Sequence, residues 1–63
     1  MPGHAQILNN RANAFHKLGR LEDSLKDALK AIEVSPSWSK ALYRAGQVLL
    51  EMKKYTEAAE HLW

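Results

Sequence analysis

The sequence matches itself at a displacement of 34 residues, and that period constrains the fold more than any other feature. At this displacement Leu8 falls on Leu42, Ala12 on Gly46 and Phe15 on Leu49. Leu21 then meets Tyr55, Ser24 meets Ala58, Leu25 meets Ala59 and Ala28 meets Leu62. Small residues recur against small ones and large against large. Ala12 and Gly46 leave room for a neighbouring helix to approach closely, and Ser24 and Ala58 do the same in the second helix of each pair.

Within each period the apolar spacing is helical. Leu8, Ala12, Phe15 and Leu18 form one face, and Leu21, Leu25, Ala28 and Ile32 a second. Leu42, Ala45, Leu49 and Met52 form a third, and Tyr55, Ala58, Ala59 and Leu62 begin a fourth. No strand-like alternation is present. Gly19 and Pro36 punctuate the pattern. The sequence therefore predicts an all-α fold of four helices, near 5–18, 21–34, 38–52 and 55–63. Loops of two or three residues make neighbouring helices antiparallel hairpins stacked as an α-solenoid. Residues 1–4 read as a disordered lead-in or tag remnant, residues 5–38 as a first repeat and 39–63 as a truncated second. Ser37 is the expected cap of the third helix.

This pattern resembles the tetratricopeptide repeat, whose 34-residue unit carries large, large, small and large positions in one helix, small and large positions in the next, and then proline. Leu8, Arg11, Ala12, Phe15, Ser24, Ala28 and Pro36 stand at those places in the first repeat. Leu42, Ala45, Gly46, Leu49, Ala58 and Leu62 stand there in the second. Three departures are visible: Arg11 replaces an apolar residue, Ala28 is small for its place, and Lys53-Lys54 replaces the turn that Gly19-Arg20 partly keeps.

Composition narrows the function. With no cysteine there is neither a disulfide nor a zinc-thiolate site. No apolar run exceeds three residues, as at Val48–Leu50, so no membrane span is encoded in the sequence given. The net charge of +2 comes from scattered lysines, without the basic face flanked by aromatic platforms that nucleic-acid binding uses. The serines cluster at a packing position and around the Pro36 turn. His4, His16 and His61 are far apart and read as surface residues. The carboxylates read as a solvated fringe, Asp23 paired with Lys26 and Asp27 with Lys30. No catalytic, metal-binding or cofactor-binding constellation emerges, and a binding module is expected rather than an enzyme.

The informative polar residues lie on the first and third helices. Asn9, Asn10 and Asn13 crowd one side of the first helix despite their poor helix propensity. Lys40 and Arg44 share a face of the third, in spite of their like charge, and Gln47 follows one turn on. The repeat period superposes Asn10 on Arg44, and first helices of successive repeats line the concave surface of a solenoid. These six residues are the candidate peptide-binding set.

Asn10, Lys40 and Arg44 further resemble the carboxylate-clamp subgroup of tetratricopeptide co-chaperones, in its second and third repeats. The resemblance implies cytoplasmic co-chaperone function and a ligand of one kind, the acidic C-terminus of a heat-shock chaperone. The subgroup's other two clamp residues belong to a preceding repeat, which this sequence does not contain. Two alternatives stand beside this reading: a structural or self-associating repeat fragment that pairs through exposed helix faces, and an RNA-binding helical repeat. Trp38 is expected to pack at the corner between repeats, Tyr43 to be packed or partly exposed, and Trp63 to lie on the truncated fourth helix.

Overall fold

The computed structural model describes residues 3–62 as three α-helices: α1 (Gly3–Lys17), α2 (Leu21–Val34) and α3 (Ser39–Leu62). Side-chain burial is described for residues 3–59. The all-α architecture is as expected, but the expected four helices are three. The two separate helices anticipated at 38–52 and 55–63 form one continuous helix of 24 residues.

The first turn explains the difference. Gly19 closes α1 at φ +80°. The Arg20 N–H donates to the Phe15 carbonyl at 2.9 Å and the Gly19 N–H to the His16 carbonyl at 3.1 Å. This is the pair of bonds that satisfies a helix C-terminus around a left-handed glycine. The Arg20 guanidinium then sits 5.0 Å from the Phe15 ring centroid. One period later the glycine's place is held by Lys53. A side chain makes the left-handed conformation costly by about 1–2 kcal/mol, so the second turn lacks its natural residue and α3 runs through it. The apolar stripe tolerates this. Ala41, Ala45, Val48, Met52, Tyr55 and Ala59 follow one another at steps of four and three, so a straight α3 keeps a single phase.

The core is built largely of alanine. Ala5, Leu8, Ala31 and Ala41 form one buried cluster, with Ile32 and Trp38 packed against it. Ala12, Ala28 and Ala45 form a second, flanked by Leu25 and again Ile32. Small side chains let the three helices approach closely, which accounts for the short residue at Ala28. Trp38 takes the packing position expected of it. Ser24 is wholly buried, and its Oγ donates to the Ala12 carbonyl at 2.6 Å, tying α2 to α1 at the small-residue positions.

Several expectations are corrected. The third buried face is Ala41, Ala45 and Val48, whereas Leu42 and Leu49 are half exposed. Without a fourth helix folded back over them, no described residue covers these leucines. Leu18 is exposed in the turn. Gly3 and His4 belong to α1 rather than to a lead-in, while Met1 and Pro2 lie outside the described residues, as does Trp63. Ser37 falls in the turn, and Trp38 precedes α3 with its carbonyl accepting from Ala41 and Leu42.

Two of the expected charge pairings are also replaced. Asp23 pairs with Arg20 at 2.6 Å. Asp27 is buried and takes both arms of Arg11, Nε at 2.6 Å and an Nη at 2.9 Å. Arg11, out of place as an apolar position, thus closes an ion pair between α1 and α2. His16 is half-buried, and its Nε2 donates to a Glu51 carboxylate oxygen at 2.8 Å, joining α1 to α3.

Candidate functional site

The helix order places α1 and α3 side by side along part of their length, both packed on α2 through the alanine clusters. A shallow depression opens between them, lined by Asn9 of α1 and by Ser39, Lys40, Tyr43 and Arg44 of α3. Lys40 and Arg44 are one turn apart and both line it. The α1 residue that joins them is Asn9. Asn10, the residue singled out by the resemblance, is exposed and does not line the depression. Asn13 is half-buried and also outside it.

Hydrogen bonding gives the depression its polarity. An Nη of Arg44 donates to the Gln47 Oε1 at 2.8 Å, which orients the guanidinium. Arg44 Nε and Asn9 Oδ1 are buried and have no hydrogen-bond partner among the described residues. A buried donor and a buried acceptor left open together are uncommon, since leaving either unsatisfied is unfavourable by about 1–3 kcal/mol. Both atoms are shielded from solvent, so a ligand reaches them only if the side chains turn. Lys40 adds an exposed ammonium to the lining.

Tyr43 is exposed and borders this depression and a second one. The second runs along the outer face of α3 and is lined by Leu42, Tyr43, Gly46, Gln47, Leu50, Glu51 and Lys54. Of these residues, the sequence marks Gln47 as a peptide-binding candidate, Leu42 as part of a packed face and Gly46 as a point of close approach, but spacing alone does not bring the seven together. Among the described residues no group of three or more histidine or acidic side chains is arranged to hold a metal ion. No helix among them is long and apolar enough to cross a membrane.

Two sequence models of the tetratricopeptide repeat match the chain, one over residues 5–37 and one over 39–62. The chain is 42% identical over 59 residues to the Hsp70-Hsp90 organizing protein of Triticum aestivum, covering 94% of this chain and 10% of that protein. It is 44% identical over 59 residues to Hsp70-Hsp90 organizing protein 1 of Glycine max, again over 94% of this chain and 10% of that protein. Likeness is not confined to that group. WD and tetratricopeptide repeats protein 1 of Mus musculus is 41% identical over 64 residues, 97% of this chain and 10% of that protein. The chain thus spans about a tenth of the length of the curated relatives it matches. No solved structure gives a significant match.

Proposed function

Because the chain belongs to the tetratricopeptide repeat family, we propose that it serves as a protein-interaction module that holds the acidic C-terminus of a partner in the depression between α1 and α3. The observation that supports this reading is that Lys40 and Arg44 line one depression together with Asn9. In the proposed complex Lys40 and Arg44 take the terminal carboxylate, since bonds between charged partners are about twice as strong as neutral ones. With its side chain turned toward the ligand, Asn9 accepts a main-chain N–H. Asn10 and Asn13 contact the ligand farther along α1, and Gln47 holds the Arg44 guanidinium in place.

Relatives named for organizing Hsp70 and Hsp90 support a chaperone as the partner and a co-chaperone role in the cytoplasm. The acidic tail such a partner would present matches the two cations of the depression. No residue here suggests chemistry on the bound peptide, and the proposed role is that of an adaptor.

Calorimetric titration with an acidic C-terminal peptide tests the reading. The free acid is expected to bind, with amidation of the terminus and Lys40→Ala each weakening binding by about tenfold or more, the loss of one charge-assisted bond. Equal affinity for the free and amidated peptides, or an unchanged affinity in Lys40→Ala, would refute it.

A further inference from the structure

Gly46 lies within α3, on its outer face. A glycine inside a helix is unfavourable by roughly 1 kcal/mol relative to alanine, so it usually answers a need for close approach. Its equivalent one period earlier, Ala12, meets that need, being fully buried with Ser24 bonded to its carbonyl. Around Gly46 the need has no visible cause. Apart from its chain neighbours and the backbone of its own helix, no heavy atom of the described residues lies within 4 Å of where a Cβ would stand.

The surroundings of Gly46 are symmetric along the helix. Leu42 and Tyr43 stand four and three residues before it, and Leu49 and Leu50 three and four residues after it. These are the positions that border a central residue on a helix surface. All four are large, apolar in body and 49–69% exposed. Leu42 and Leu49 form one edge of the patch, and Tyr43 and Leu50 the other.

We infer that this face of α3 pairs with the same face of a second copy, antiparallel and crossing at Gly46. The proposal stands independently of the peptide reading. A twofold axis at Gly46 sets Leu42 of one copy beside Leu49 of the other and Tyr43 beside Leu50, while the two glycine backbones touch at the centre. An isologous interface requires a surface that is its own complement. A patch with matching apolar residues before and after a glycine meets that condition, and an unrelated partner would not require the symmetry. Charge agrees, because Lys53 then faces the partner's Ser39 rather than a like charge. The body of each molecule lies on the opposite side of α3, where Ala41, Ala45 and Val48 are buried, so the two bodies stay clear of each other. The patch exposes on the order of 500 Å² per copy, below the ~800 Å² per partner of standard interfaces. The expected dimer is therefore weak and concentration-dependent.

Sedimentation equilibrium of the 63-residue chain between about 10 μM and 1 mM tests this, with a monomer–dimer equilibrium near 100 μM expected. Gly46→Glu introduces a charged side chain where the monomer has open space, so helicity by circular dichroism should persist while dimerisation weakens at least ~10-fold. Leu50→Lys should do the same from the edge of the patch. The sequence has no cysteine, so Gly46→Cys should give a disulfide-linked dimer under mild oxidation, and Tyr55→Cys should not. A monomer mass at every concentration overturns the proposal, including one in which residues 55–62 fold back over Leu42 and Leu49. So does a dimer that neither substitution weakens, or one that cross-links through position 55 and not 46.

Discussion

At the scale of single residues, the pairing of Arg11 with Asp27 illustrates what a packed interface does to charge. The bond from Arg11 holds the Asp27 carboxyl below its usual range, more than burial raises it. A carboxylate whose folded-state pKa is lowered contributes stability in full above its unfolded value, near 3.9, and loses it as pH falls through the lowered value. Urea midpoints of the native chain should therefore decline on acidification from pH 5 toward pH 2. Asp27→Asn should be less stable at pH 7 and should show a shallower decline. An identical pH profile in the two proteins would deny the pair its role. The pair was illegible in the sequence for a definite reason. Arg11 and Asp27 are sixteen residues apart, and only the crossing of α1 and α2 decides that they meet rather than Asp27 and Lys30. The same limit applies at the candidate site. Lys40 and Arg44 are one turn apart and could be read as neighbours, whereas choosing Asn9 over Asn10 depends on how α1 is rotated against α3.

At the scale of elements, the helices were legible and one break between them was not. Apolar periodicity placed α1 and α2 to within two residues at either end, because amphipathic spacing survives any arrangement of neighbours. The second hairpin rested on the repeat period, and the period says nothing of whether each turn keeps its glycine. Lys53 stands where Gly19 turns the chain, and the stripe from Ala41 to Ala59 continues unbroken across it. Lys53→Gly should shift the balance toward a hairpin by about 2–3 kcal/mol. The glycine weakens the straight helix by roughly 1 kcal/mol and relieves a left-handed penalty of about 1–2 kcal/mol. Spin labels at positions 46 and 58 should then approach from about 18 Å apart, some three helical turns along α3, to side-by-side contact. Unchanged separation would show that something other than this turn keeps α3 straight.

At the scale of the whole molecule, the chain measures 45 × 20 × 12 Å, and α3 alone runs about 36 Å at 1.5 Å per residue. Its first half packs on the hairpin of α1 and α2, while residues 53–59 are exposed. Protection should follow that division. In hydrogen exchange the amides of α2 and of residues 43–48 are expected to be slowest, and those of 54–59 faster by one to two orders of magnitude, because only the former open with the core. Uniform protection along α3 would mean that the projecting turns are covered, which the dimer proposed above, reaching only to Lys53 opposite Ser39, would not do.

The exposed run of α3 also bears on what a melting temperature means for this chain. Helical turns without tertiary partners are held by local propensity, and they unravel gradually rather than in one step. The alanine-lined body loses its order in one step. A signal that counts helical residues therefore sums a gradual process and an abrupt one, whereas a signal from the Trp38 environment reports mainly the second. The enthalpy inferred from the steepness of the helical transition will fall short of the heat absorbed, and the all-or-none description applies to the body of this chain rather than to its full length.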